Sequence, residues 1–343
     1  MASLQLFNGL LDPDERESKI RQKIEGVRNG YSQVRFRDPF HGVLSNFVGE
    51  FNPNRLEVEE WLLPTPPPQM QFMLTVENFV TFIDSNGCLE YSKKIEEMVK
   101  KGLPALPVMI GVDHSLSGGS IRAACREYGG ENIRLVLFDS HFDFILPTIR
   151  CGLIQYDVET NPESKFSKGD PYIFSRPDSY NADSFLYYLM ESLPPENIYV
   201  IGVSDYPPKV AEEIDDGRVK DYVQFYKGIE EKGVHVIRRE AVESGISEIK
   251  ELLSSAKLPL TYVSIDIDVC ANTSLKGARF QDYNGLDHHD LYSMCAALAK
   301  SNSRLIGLDI MEFDVYSAGS RFMGKEDRTY QIAAEALRKF SIL

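Results

Sequence analysis

From residue 106 onward the chain alternates short apolar runs with stretches of helical period, and that rhythm admits few folds. Residues 106–110, 133–138, 198–203, 234–237, 260–267 and 305–310 are mostly apolar on both alternating sets of positions, so both faces of each strand must be covered. Between and after them, residues 117–128, 183–192, 210–231, 242–256, 287–301 and 326–340 read as helices. Strand–helix alternation predicts a parallel sheet with helices on both faces, a three-layer α/β/α domain. In such open sheets, ligands bind outside the carboxyl ends of the strands.

Those ends carry an unusual set of side chains. The run 133–138 is followed by Asp139-Ser140-His141-Phe142-Asp143. If extended backbone continues through the pentad, Asp139, His141 and Asp143 project to one side, because successive side chains alternate. Ser264-Ile265-Asp266-Ile267-Asp268 repeats the pattern at another strand end, and His114 follows a third in Gly111-Val112-Asp113-His114-Ser115. Asp266 and Asp268 on one face repel each other unless a cation lies between them. Oxygen ligands with some imidazole suit a hard divalent ion such as Mn²⁺.

Composition agrees. With 37 basic against 51 acidic residues, a net charge of −14 argues against nucleic acid or an anionic membrane as partner and suits a site that collects cations. Five cysteines, Cys88, Cys125, Cys151, Cys270 and Cys295, are odd in number and show no C-x-x-C pair. A reducing cytoplasm is the expected compartment. The first residues show no signal-peptide pattern, and no apolar run approaches a membrane span.

In order and spacing, Gly-Val-Asp-His-Ser, Asp-Ser-His-Phe-Asp and Ser-Ile-Asp-Ile-Asp resemble the three metal motifs of the ureohydrolase family, which contains arginase, agmatinase, guanidinobutyrase and formimidoylglutamase. Leu308-Asp309-Ile310-Met311-Glu312 resembles that family's late strand, and Asn284-Gly285-Leu286 its helix entry. The resemblance implies a mainly parallel eight-stranded sheet of the arginase/deacetylase type and two Mn²⁺ per chain, with Ni²⁺ as a possible substitute. It implies that His114, Asp139, Asp143 and Asp266 hold the first ion. Asp139, His141, Asp266 and Asp268 would hold the second, with Asp139 and Asp266 bridging. It assigns proton transfer to Asp143 and the cation of a small guanidino-type substrate to Glu312, with urea as product. A homo-oligomer, trimer or hexamer, is a further implication.

The chain also departs from the family's pattern. Ala271 and Asn272 stand where an Asp-Pro pair is usual, Ile145 replaces a substrate asparagine, and no histidine occurs between His141 and His235. The loop read over residues 144–181 offers Arg150, Cys151, Gln155, Tyr156 and Asp157 instead. Arginine is therefore a poorer substrate than a shorter guanidine or an agmatine-like amine, and a formimino acid held by Arg150 is the rival. Two other readings compete: a deacetylase-like enzyme with one zinc, which would keep only part of this ligand set, and a non-catalytic metal-binding homologue. His288-His289 reads as a surface or capping pair at a helix start.

One domain is expected over residues 1–343, with the motif-bearing core at 104–343. Residues 1–100 read as a divergent elaboration that covers the core or meets another subunit. It comprises a charged helix near 14–27, a loop at Arg35-Phe36-Arg37-Asp38-Pro39, a proline-rich connector at 64–68 and a helix at 91–101. The family's first strand is not recognisable in it.

Overall fold

The computed structural model describes residues 3–31, 38–255, 257–322 and 324–343. Eight strands form one sheet: β1 (Leu4–Gly9), β2 (Asn54–Arg55), β3 (Leu106–Gly111), β4 (Ile133–Phe138), β5 (Ile198–Val203), β6 (His235–Arg238), β7 (Leu260–Asp266) and β8 (Arg304–Met311). Their order is β2-β1-β3-β8-β7-β4-β5-β6, and every neighbouring pair is parallel. Parallel neighbours need crossovers, and helices supply most of them. These are α1 (Glu17–Asn29), α2 (Pro39–Leu44), α3 (Val76–Asp84), α4 (Gly87–Gly102), α5 (Ser117–Tyr128), α6 (Pro147–Thr160), α7 (Phe185–Leu189), α8 (Gly217–Glu231), α9 (Arg239–Ser254), α10 (His288–Ala299) and α11 (Thr329–Arg338).

The strands distribute their side chains between two layers. Val136 and Phe138 of β4 join Val108 and Ile110 of β3 in a cluster completed by α2, α9, α10 and α11. The alternate residues Leu135 and Leu137 pack on the other face against α5, α7 and α8. Near β1, Phe7 and Met109 on that second face meet α1, α3 and α4 through Ile20, Phe79 and Ile95. Every residue of β3 and β4 is buried, which is why these strands read as nearly continuous apolar runs, interrupted only by Arg134.

Two elements differ from expectation. The presumed loop 144–181 contains α6, which starts with Pro147 at its first turn, where a missing N–H costs nothing. Only Pro147, Cys151 and Val158 of that helix are buried, so it lacks the apolar stripe that marks a packed helix. The described part of residues 1–100 supplies β1 and β2 of the sheet. β1 pairs with β3 along its whole length, from Leu4 beside Leu106 to Gly9 beside Gly111. Its strand character rests on this non-local pairing more than on any local pattern. Of the expected loop, Arg35-Phe36-Arg37 lies outside the described residues, whereas Asp38 caps α2 by accepting from the Phe40 N–H. No helix among the described residues is long and apolar enough to cross a membrane, and all five cysteines are buried as free thiols.

Candidate metal centre

Because the strands are parallel, the carboxyl ends of β3, β8, β7 and β4 open side by side. They deliver His114, Glu312, the Asp266–Asp268 pair and the pentad to one place. Each acidic motif fixes itself with a local hydrogen bond. Asp139 Oδ1 accepts from the His141 N–H at 2.7 Å, and Asp266 Oδ1 accepts from the Asp268 N–H at 2.7 Å. One oxygen therefore builds the turn while the other stays available. Asp143 arrives differently from expectation. Extended backbone ends at Phe138, and Asp143 adopts φ +54°, a left-handed conformation that side chains rarely take. Gly202 is required beside it: its φ is +108°, and a Cβ there would stand 2.9 Å from the Asp139 carbonyl oxygen.

All six residues expected as ligands come together in two groups. His114 Nδ1 lies 3.0 Å from Asp143 Oδ2, 3.3 Å from Asp139 Oδ2 and 3.4 Å from Asp266 Oδ2. The donors of this first group are all within 4.8 Å of one another and buried. The second group is Asp139, His141 and Asp268, with His141 Nδ1 2.8 Å from Asp268 Oδ2. Asp139 is common to both groups. Asp266, expected to bridge as well, converges only with the first.

The test of whether these residues fit a cation is what their atoms do without one. His114 Nδ1, Asp139 Oδ2, Asp143 Oδ2 and Asp268 Oδ2 are buried, form no well-directed hydrogen bond among the described residues, and meet other members of the two groups only at the ion-pair distances above. Buried polar atoms are normally satisfied, so convergent orphans mark a place for a ligand. The charges agree. Burial pushes Asp139 and Asp266 well above the usual carboxylate range, and neighbouring carboxylates push further. Burial would lower both histidines, yet the surrounding acids hold His114 and His141 well above the ordinary imidazole value. Asp268 goes down: burial pushes it up, but His141 and the Ser140 hydrogen bonds outweigh it. Such a cluster keeps protons that a dication would displace.

Behind His114 stands a chain of residues that sequence reasoning did not single out. His114 Nε2 donates to Ser264 Oγ at 2.9 Å, Ser264 donates to Asp309 Oδ1 at 2.5 Å, and the Tyr262 hydroxyl donates to Asp309 Oδ2 at 2.8 Å. This relay keeps a proton on Nε2 and aims Nδ1 at the carboxylates, so that Nδ1 becomes a ligand atom once a cation displaces its proton. Ser264 lies two residues before Asp266, so period-two alternation puts it on the same face and could have revealed it. His141, with 19% of its side chain exposed, is the accessible member of the second group. Phe280 and Tyr283 meet its ring edge-on, with centroids 5.9 and 5.7 Å away.

Glu312 is at the expected strand end but is already engaged. Its Oε1 accepts from the His114 backbone N–H at 2.7 Å, and Arg279 Nη1 lies 3.0 and 3.1 Å from its two oxygens. Its carboxylate, expected to meet a substrate cation, is paired here with an internal guanidinium. Arg150, the proposed anchor for a formimino acid, is ion-paired with Asp183. His288 and His289 sit at the start of α10, which is capped by Asp287 accepting from the His289 N–H at 2.8 Å.

Comparison with known proteins places this geometry. The sequence profile of the arginase family matches residues 50–342. An arginase of Staphylococcus aureus (strain COL) is 22% identical over 237 residues, covering 69% of this chain and 68% of that protein. An agmatinase of Bacillus subtilis (strain 168) is 23% identical over 218 residues, covering 64% of this chain and 58% of that protein. A Trypanosoma cruzi formiminoglutamase solved with Mn²⁺ superposes with a TM-score of 0.56 at 15% identity, over 99% of this chain and 92% of that one. With the profile spanning most of the sequence and the same fold recurring, the chain belongs to the arginase family.

Proposed function

We propose that this protein is a metal-dependent hydrolase of the C–N bond of a linear amidine or guanidine, working with two Mn²⁺ per chain, Ni²⁺ being a possible substitute. The observation that supports the reading is the convergence of buried carboxylate and imidazole atoms at the ends of β3, β7 and β4. On this reading His114, Asp139, Asp143 and Asp266 hold one ion, and Asp139, His141 and Asp268 hold the other. When bound, a pair of dications supplies Lewis acidity and draws a nucleophile from water at neutral pH. The chain's residues do the rest. The Ser264–Asp309 relay holds His114 in the tautomer that offers Nδ1, and Asp139 fixes the spacing of the two groups. Asp143, whose carboxylate faces His114, takes the proton released by water and returns it to the departing nitrogen. Phe280 and Tyr283 flank the accessible side at His141 and form an aromatic wall for a flat C–N centre.

Relatives that include an arginase, an agmatinase and a manganese-bearing formiminoglutamase support the reaction class. The guanidino branch, with release of urea, is the first to assay. A second reading, a metal-binding homologue that does not turn over guanidino compounds, is favoured by one observation, the Arg279–Glu312 pair. The test is reconstitution of metal-stripped protein with Mn²⁺, metal analysis, and assay of urea, ammonia or formamide release from arginine, agmatine, a guanidino acid and a formimino acid. About two bound ions with turnover of one compound upholds the hydrolase. Full metal loading with every compound inert leaves the second reading.

A further inference from the structure

Arg279 is 7% exposed and lies in the segment between β7 and α10, whose residues are otherwise mostly turn. Backbone contacts hold it in place: the Arg279 N–H donates to the Glu312 carbonyl at 2.8 Å, and Ala278 bridges Phe313. From there Nη1 reaches both Glu312 oxygens, Asp113 Oδ2 at 3.1 Å and the Val112 carbonyl at 3.1 Å. Nη2 approaches Asp12 Oδ1 at 3.4 Å. The acceptors thus converge on the terminal nitrogens. The Nε–H, nearer the backbone, is buried without a hydrogen-bond partner among the described residues. A purely structural arginine ordinarily satisfies all its donors. Here the pocket complements the tip of a guanidinium and neglects its tether.

Position sharpens the point. Glu312 Oε1 also accepts from the backbone N–H of His114, so the pocket adjoins the proposed metal centre directly. We infer that Glu312, Asp113, Asp12 and the Val112 carbonyl form a guanidinium subsite that Arg279 fills from within, so that a free guanidino cation is excluded from Glu312 while Arg279 stays. This deepens the hydrolase reading and rests on it for the claim that the subsite faces a substrate. Arg279 is then a specificity-determining residue. A substrate must either displace it or carry a reacting group that needs no partner at Glu312. A second guanidinium brought to the same carboxylate would meet a like charge in a water-poor pocket, where repulsion is strong.

The test reads binding in metal-free protein, so it is independent of turnover. Arg279→Ala empties the subsite, and guanidinium chloride is titrated at low millimolar concentration against wild type and variant, by calorimetry and thermal unfolding, with ammonium and sodium chloride as controls. The variant should bind guanidinium and unfold at a higher temperature in its presence, with no response to the control salts. Wild type should show no such response. Arg279→Ala/Glu312→Gln should lose the effect, because the anion is gone. If Arg279→Ala folds only when guanidinium is present during refolding, that rescue supports the subsite equally. A folded Arg279→Ala that responds to guanidinium as wild type does overturns the inference, as does an unfolded variant that guanidinium fails to recover. Failure of the hydrolase reading would appear elsewhere, as a manganese-loaded wild type inert to every compound.

Discussion

Ser264→Ala removes a single oxygen, and the structure says what each neighbour loses. Ser264 Oγ accepts from His114 Nε2 at 2.9 Å and donates to Asp309 Oδ1 at 2.5 Å, and all three side chains are fully buried. Without it the His114 N–H has no acceptor, and Asp309 keeps only the Tyr262 hydroxyl among these two donors. A buried donor left unpaired costs about 1–3 kcal/mol, so the metal-free protein should lose about that much stability in urea. The proton on Nε2 is no longer held in place, and the imidazole can present the wrong tautomer or turn away from Asp139 and Asp143. Loss of a group that orients a ligating histidine typically lowers metal affinity about 10–100-fold. That factor corresponds to about 1.4–2.8 kcal/mol.

Titration calorimetry of Mn²⁺ into metal-stripped protein measures the second quantity directly. Tyr262→Phe is the comparison, since it removes a donor to Asp309 at 2.8 Å but leaves the His114–Ser264 contact intact. It should reduce stability while changing Mn²⁺ affinity by no more than about 3-fold. If Ser264→Ala binds Mn²⁺ within about 2-fold of wild type while His114→Ala loses binding, the relay does not orient the ligand and the reasoning fails.

Further outcomes follow from the same geometry. Asp139 belongs to both donor groups, so Asp139→Asn should weaken binding of both ions, whereas Asp268→Ala should leave the first site loaded; metal analysis after gel filtration distinguishes them. Gly202→Ala forces a side chain into φ +108° and brings its Cβ within 2.7 Å of Val269 Cγ2 and 2.9 Å of the Asp139 carbonyl, so stability should fall by about 1–3 kcal/mol in urea, with weaker Mn²⁺ binding. Asp14 is held down to about 2 against the upward push of burial, through hydrogen bonds from Arg16 at 2.9 and 2.5 Å. A carboxyl lowered in the folded state stabilises above its unfolded value of 3.8 and loses that contribution as the pH falls toward 2. Asp14→Asn should therefore cost about 2 kcal/mol or somewhat more at neutral pH, and its deficit relative to wild type should shrink below pH 4, as urea melts from pH 7 to 3 would show.

What could be read from the sequence follows what is locally encoded. β3 and β4 were legible because both their faces are buried, and the six candidate ligands because each sits in a short motif at a strand end. β1 was hidden because its evidence is non-local: its partner β3 lies about a hundred residues on, and pairing rather than pattern makes it a strand. α6 was hidden because few of its residues face the core. Strict alternation gave the right residues in the pentad for an incomplete reason. Asp143 reaches the group through a left-handed backbone, not through extended continuation of β4. Arg279 had no signal at all, since nothing in Ala278-Arg279-Phe280 indicates that its side chain will meet Glu312 across the end of the sheet.

That meeting ties the N-terminal segment to the site. β1 runs beside β3, so the chain leaving Gly9 passes the same sheet edge and delivers Asp12, Asp14 and Arg16 there. Asp12 pairs with Lys23 at 3.0 Å and approaches Arg279, Asp14 pairs with Arg16, and Arg16 donates to the Arg279 carbonyl while its guanidinium lies over Phe280 at 3.9 Å. Four acids, Asp12, Asp14, Asp113 and Glu312, thus surround three cations, Lys23, Arg16 and Arg279. In a water-poor setting, removing one charge leaves its partner uncompensated, a larger loss than the pair's net contribution. Burial lifts the Glu312 carboxyl well above its usual range, and Arg279 pulls against that rise. Arg279 therefore offsets part of the cost of burying Glu312 beside His114. In this chain the cation is built in and braced by the N-terminal segment, so any guanidino substrate must compete with a tethered copy of its own charged group.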